Sequence, residues 1–325
     1  MEKEAITRER EINNVRTLYI GGGTPSLLDA DDIEKLIVIG KAEDAVEKTL
    51  EANPQDITYS KAAEWRKIGI NRLSIGIQSF NDDYLRLLGR RHNAWQALSA
   101  VETAQRAGFD NISIDLIYAL PGQTLKQCHE DIETALSLDI QHLSCYCLSF
   151  EEGTPFADEK DAGVLKETDD DTANEMYDLI CDKADAKGIK RYEVSNFAKK
   201  CFEAKHNSSY WDHTPYTGLG AGAHSFDGRH TRRANICNLD RYIAHPDSTE
   251  IYTIETLTAE DLYNEKIMLG LRTSRGIDRQ TVHPSVLKAV ERHLADGCLA
   301  ESDGKLTATQ KGIHILNEII TDLMI

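Results

Sequence analysis

Basic residues are in short supply: 37 Lys and Arg stand against 54 Asp and Glu, a formal net charge of −17. A nucleic-acid footprint needs a clustered cationic face. Arg90-Arg91 and Arg232-Arg233 are pairs and not stripes, which excludes phosphate-backbone binding. Apolar runs long enough to span a bilayer are missing too. The opening stretch Met1 to Arg10 is too charged for a secretory signal, so the expected compartment is the cytoplasm. Cysteine is absent from the first 127 residues, and the seven present are scattered between Cys128 and Cys298, an odd number that makes no disulfide framework. The one close pair, Cys145 and Cys147, flanks Tyr146 on an expected strand and so shares one face. It reads as core packing, because two thiolates without further ligands do not close a metal site.

What is present is enough for one barrel-sized domain and a smaller one: 325 residues, 41% of them hydrophobic. The most informative feature is Gly21-Gly-Gly-Thr-Pro25, directly after the apolar run Thr17 to Ile20. Glycines at the carboxyl end of a strand let backbone N–H groups approach a ligand that a Cβ would hold off. A strand–helix alternation surrounds it. Glu2 to Asn14 is expected to be helical, and a further helix begins near Asp29. Strands are expected at Lys48–Ala52, Arg72–Ile77, Asn111–Tyr118, His142–Leu148 and Tyr192–Ser195. Helices are expected at Ser60–Ile68, Trp95–Ala107, Leu125–Ser137 and Thr172–Lys187. Such alternation predicts a parallel sheet with crossover helices, open or curled into a barrel. Polar residues fall at or just beyond strand ends: Glu51, Gln78, Asp115 and the Gly21–Thr24 turn. Side chains there converge on one rim of a parallel barrel, the rim on which binding sites are built.

Beyond Ala198 the composition shifts to a loop-rich stretch holding His206-Asn-Ser-Ser-Tyr-Trp211 and Gly220-Ala-Gly-Ala-His-Ser-Phe226. Its small residues, histidines and aromatics suit either a flat ligand or a domain junction. From Thr258 onward, helices over Ala259–Leu271 and Val286–Asp296 precede two short strands around Asp303-Gly304, and a helix follows from Gln310. That order resembles a winged-helix unit, read here as an interaction or packing module.

These stretches together resemble the radical S-adenosylmethionine proteins related to oxygen-independent coproporphyrinogen III oxidase. The matching segments are Leu18 to Ser26, Glu51-Ala-Asn-Pro54, Asn71 to Phe80, Leu88-Gly-Arg-Arg-His92, Ile114 to Gly122, His206 to Trp211 and Gly220 to Phe226, in the family's order. The His-Asn-x-x-Tyr-Trp stretch tilts the resemblance toward the family's heme-chaperone branch. The resemblance implies an α/β fold: a partial parallel (β/α) barrel over residues 1–200, a junction over 201–257 and a C-terminal helical, winged-helix-like domain over 258–325. It implies an S-adenosylmethionine site formed by Gly22, Gly23, Thr24, Glu51, Gln78, Arg90 and Asp115. It also implies heme held by His206, Asn207, Tyr210 and Trp211, with His206 on the iron and His224 a weaker second candidate. Heme would then pass to an apoprotein such as a respiratory enzyme. No catalytic residue is assigned.

One departure is plain. The family holds a [4Fe–4S] cluster through Cys-x3-Cys-x2-Cys after the first barrel strand, and this chain nowhere spaces three cysteines that way. The first strand and cluster loop are expected to be absent, through an incomplete gene reading, a shortened chain or a genuine loss. On that reading the chain does not cleave S-adenosylmethionine reductively. The rival functions are the oxidative decarboxylation of coproporphyrinogen III and a cluster-less binding remnant.

Overall fold

The computed structural model describes residues 1–325. In chain order its principal elements are α1 (Glu2–Thr7), β1 (Thr17–Ile20), α2 (Ala30–Ile39), β2 (Glu47–Ala52), α3 (Tyr59–Lys67), β3 (Arg72–Gln78), α4 (Asp82–Leu87), α5 (Ala94–Arg106), β4 (Ile112–Tyr118), α6 (Leu125–Leu136), β5 (His142–Cys147), α7 (Pro155–Asp161), α8 (Asp170–Ala186), β6 (Lys190–Arg191) and β7 (Asn196–Ala198). There follow α9 (Lys205–Tyr210), β8 (His224–Phe226), β9 (Thr231–Asn235), α10 (Leu239–Ala244), β10 (Tyr252–Thr256), α11 (Ala259–Leu271), β11 (Ile277–Asp278), α12 (Leu287–Ala295), β12 (Leu299–Ser302), β13 (Lys305–Ala308), α13 (Gln310–His314) and α14 (Leu316–Leu323). Two compact units divide the chain. One comprises residues 19–33 and 47–203; the other comprises residues 1–18, 34–46 and 204–325.

The first unit is built on a seven-stranded sheet in the order β1-β2-β3-β4-β5-β7-β6. The pairs β2–β3, β3–β4 and β4–β5 are parallel, each bridged by helical crossovers. The strand order does not close on itself, so the α/β barrel is partial. Alternation along the strands separates two faces. Leu50, Leu73, Ile75, Ile112, Ile114 and Leu143 are fully buried, which places them on the helix-covered face of a parallel sheet. Their neighbours Glu51, Ser74, Ser113, Asp115, His142 and Ser144 share the other face, in register across four strands. That face is unusually polar for a sheet interior. Within it His142 is wholly buried, its Nδ1 2.7 Å from Ser113 Oγ and its Nε2 2.8 Å from Tyr192 OH. Burial holds its pKa well below the ordinary value, so the ring is neutral.

The helix starts follow from local sequence. Asn93 with Gln96, and Thr124 with Gln127, form reciprocal capping boxes at α5 and α6. Three expectations need correction. Residues 192–195 form no strand; they are the turn between β6 and β7, in which Tyr192 N–H bonds back to Asn196 O. These two strands run antiparallel, with β7 pairing β5, so the parallel alternation ends there. The first helix stops at Thr7, short of the expected Asn14, which itself takes a left-handed φ of 52°.

In the second unit, the stretch read as loop-rich contains the short helix α9 and a three-stranded antiparallel sheet, β10-β9-β8. Nearer the C-terminus, β12 and β13 pair as an antiparallel hairpin about Asp303-Gly304, with β11 on the far edge of β13. The buried faces of α12 and α14, Val290 and His293 on one and Leu316, Ile319, Ile320 and Leu323 on the other, supply the core of this winged segment. No helix is long and apolar enough to cross a membrane.

Candidate functional site

At the carboxyl ends of β1 to β4 lies an open cavity of about 220 Å³, lined by Gly23, Thr24, Pro25, Ser26, Glu51, Ala52, Asn53, Ser74, Gly76, Gln78, Arg90 and Asp115. Six of the seven residues expected from sequence to bind S-adenosylmethionine thus meet in one place. The seventh, Gly22, stands at the edge and donates its N–H to Glu51 Oε2 at 3.2 Å.

Each side chain has a structural reason for its position. Glu51 reaches the rim from β2 and is gripped on both oxygens, by Gly22 N–H and by Tyr19 OH at 2.7 Å to Oε1. A Cβ on Gly21 would sit 2.7 Å from the Glu51 carboxylate and from the Tyr19 ring, so glycine is required for that approach. Between Gly76 and Gln78 the β3–β4 register slips, and Gln78 takes a φ of 71°, a left-handed conformation that costs a non-glycine residue energy and re-aims its side chain. Arg90, on the stretch between α4 and α5, spends one nitrogen on Asn53 Oδ1 at 2.7 Å and Gly76 O at 2.9 Å. The remaining donors of its fork stay available for an anion.

Asp115 projects from the middle of β4. Ser74 Oγ lies 3.3 Å from both of its carboxylate oxygens. Burial pushes its pKa up to about 6; the Ser144 and Ser74 hydroxyls and the Arg72 charge pull the other way, while Glu51 adds to the rise. Burial also lowers the Arg90 pKa, against the attraction of Asp115. The cavity therefore offers two carboxylates, one guanidinium and glycine amides within a single concavity. That donor set suits a zwitterion carrying hydroxyls: amides and Arg90 meet a carboxylate, and Glu51 and Asp115 accept from an ammonium or from ribose hydroxyls. Sequence reasoning passed over Tyr19, Ser26, Asn53 and Ser74. Ser74 was signalled by its alternation with Leu73 and Ile75, and Asn53 by its place in the Glu51–Pro54 stretch.

The residues expected to hold heme lie apart in sequence and belong to the second unit. His206 is the second residue of α9, with Nδ1 2.9 Å from Thr17 Oγ1 and Nε2 2.9 Å from Tyr210 OH. Tyr210 is 41% exposed, and its ring meets Tyr216 edge-on at 4.7 Å between centroids. Asn207 and Trp211 are half-buried on the same turn, whereas His224 is exposed on β8. With Nδ1 donating to Thr17 Oγ1, the Nε2 lone pair of His206 would be the one to meet heme iron in place of the Tyr210 hydroxyl. The cysteines do not fit an iron–sulfur cluster. Cys128, Cys145 and Cys298 are buried, Cys181 is half-buried, Cys147, Cys201 and Cys237 are exposed, and no group of three metal-ligating side chains forms among His, Cys, Asp and Glu.

A parallel α/β sheet with glycine amides and converging polar side chains at its carboxyl rim is an architecture on which binding sites are built, and comparison with known proteins places this one in the radical S-adenosylmethionine class. Residues 1–135 match the model of the Radical SAM superfamily, and residues 257–315 match that of the HemN C-terminal domain. The heme chaperone HemW of Bacillus subtilis (strain 168) is 36% identical over 330 residues, covering 94% of this chain and 84% of its own. HemW of Lactococcus lactis subsp. lactis (strain IL1403) is 38% identical over 271 residues, covering 82% and 71%. Among solved structures, coproporphyrinogen III oxidase (HemN) from Escherichia coli, a radical SAM enzyme, superposes with a TM-score of 0.80 at 21% identity, over 99% of this chain and 82% of that one. At that identity the likeness is one of fold. The chain belongs to the HemW heme chaperone family.

Proposed function

We propose that this protein binds heme through the α9 segment and S-adenosylmethionine at the sheet rim, and passes heme to an apoprotein acceptor. The observation that carries the reading is the cavity. Four strands and the loop before α5 bring Thr24, Glu51, Gln78, Arg90 and Asp115 to one concavity floored by Ser74. When bound, S-adenosylmethionine would present its carboxylate to the glycine amides and Arg90. Its ammonium and ribose hydroxyls would meet Glu51 and Asp115. The His206 imidazole would exchange its Tyr210 hydrogen bond for iron while Thr17 holds the ring. Support for the heme half comes from the HemW relatives and from the tethered imidazole.

Two titrations test this. Calorimetry of purified protein with S-adenosylmethionine should give a binding heat that Asp115→Ala abolishes; equal heat in that variant refutes the assignment. Added heme should give a shifted Soret band that changes in His206→Ala, and an unchanged band removes His206 from the iron.

A further inference from the structure

Arg72 opens β3 with only 1% of its surface exposed, yet its Nε has no hydrogen-bond partner. No carboxylate lies within the 4.0 Å of an ion pair. A buried charge without a partner is costly. A guanidinium cannot relieve that cost by releasing its proton, so its field must act on neighbouring groups. Strand alternation places Arg72 on the same face as Ser74 and Gly76, both of which line the cavity. Register sets Ser74 beside Glu51 and Gly76 beside Asp115. Arg72 thus lies one step deeper along β3 than the serine that touches Asp115.

We propose that Arg72 is the positioning residue of the cavity, a buried cation that keeps the Asp115 carboxylate charged through space while leaving its oxygens to the ligand. A direct ion pair would use those oxygens as acceptors; a through-space charge does not. The other titratable groups facing Asp115 act alongside it: Glu51 from β2 opposes ionisation, Arg90 favours it, and Tyr19 from β1 and Tyr146 from β5 stay neutral because burial, with Glu51 and Asp115 respectively, raises their pKa values. The ligand half of the idea rests on the S-adenosylmethionine reading; the titration half does not.

The experiment follows the Asp115 carboxyl by carbon-13 NMR across pH, with Asp115→Asn to assign the signal, in the parent, Arg72→Gln and Arg72→Lys. Arg72→Met, which keeps the apolar stem, serves if Arg72→Gln does not fold. The Asp115 midpoint should rise by about one unit or more in the neutral variants and stay near the parent in Arg72→Lys. Calorimetry with S-adenosylmethionine should show about 5-fold weaker binding at pH 6 and about 2-fold weaker binding at pH 7 in the neutral variants, restored by pH 9, with no added loss in an Asp115→Asn background. A folded neutral variant whose Asp115 midpoint does not move overturns the proposal, as does an affinity loss equal at every pH. If the midpoint moves but the parent protein binds no S-adenosylmethionine, the ligand reading fails and the role of Arg72 stands.

Discussion

At the scale of single residues, the cavity is governed by how two carboxylates are held. Asp115 is deep, and its pKa is raised from 3.8 to about 6. Between those values the native protein keeps a proton that the unfolded chain has released. This group's contribution to folding is therefore complete below pH 3.8 and is lost as pH rises to about 6. Ligand binding runs the opposite way, since only the ionised carboxylate accepts on both oxygens. Affinity for S-adenosylmethionine should be near its plateau at pH 7.5 and fall about tenfold for each unit below pH 6, a slope that calorimetry across pH reads directly. Asp115→Asn should flatten that slope. Glu51 is held in another way, by a phenol and an amide. Tyr19→Phe removes one of those two bonds, worth about 1 kcal/mol in orienting the carboxylate, and should weaken binding roughly fivefold with little change in thermal stability.

At the scale of elements, the β1 turn shows how closely backbone and site are joined. In Gly21→Ala the new methyl must displace the end of Glu51 or the Tyr19 ring, both flexible groups, so the strand should still form while the carboxylate moves off its amide. The expected outcome is a folded protein with about tenfold weaker S-adenosylmethionine binding, and calorimetry paired with thermal melts separates the two effects. The same elements show what was legible in the sequence. Strands β2 to β5 and their helices were readable because buried aliphatics at alternate positions, capping residues and crossover length agree with one another. Glu51, Gln78 and Asp115 line one cavity because a parallel sheet sends strand ends to one side. Strands β8 to β10 were not readable. Strand β8 is only three residues long, and the runs Thr-Arg-Arg-Ala-Asn of β9 and Tyr-Thr-Ile-Glu-Thr of β10 are largely exposed or half-buried, so they lack the apolar alternation that marks a strand. Arg72 was invisible as a functional candidate for a related reason, since sequence alone does not tell a buried arginine from one at the surface.

At the scale of the whole molecule, the order of folding units departs from the order of the chain. The first eighteen residues belong to the unit otherwise made of residues 34–46 and 204–325. One carboxylate accounts for much of that attachment. Glu4 is 1% exposed and accepts from Arg8 at 3.0 Å, Asn235 Nδ2 at 2.7 Å, Tyr242 OH at 2.5 Å and Gly220 N–H at 3.0 Å. Burial alone would raise its pKa, but the hydrogen bonds from Tyr242, Asn235, Gly220 and Arg8 outweigh it and hold the group below 4.5. Its stabilising contribution is therefore present above pH 4.5 and is lost as pH falls through the lowered native value. Arg8, 2% exposed, also donates to Gly218 O and Ser225 Oγ, so α1 is bonded to the loop and strand of the Gly220–Phe226 stretch. Removing the acid leaves the buried Tyr242 hydroxyl and one Asn235 amide hydrogen without their acceptor, while Arg8 keeps its ion pair with Glu11 at 2.6 Å. Glu4→Ala should cost about 2–3 kcal/mol by urea unfolding. Glu4→Gln keeps an acceptor and should cost less. Hydrogen exchange at the Asn235 and Tyr242 amides should quicken in Glu4→Ala while the β3 and β4 amides of the other unit keep their protection. Uniform loss of protection across both units would show that the N-terminal segment supports the whole chain and not one unit of it.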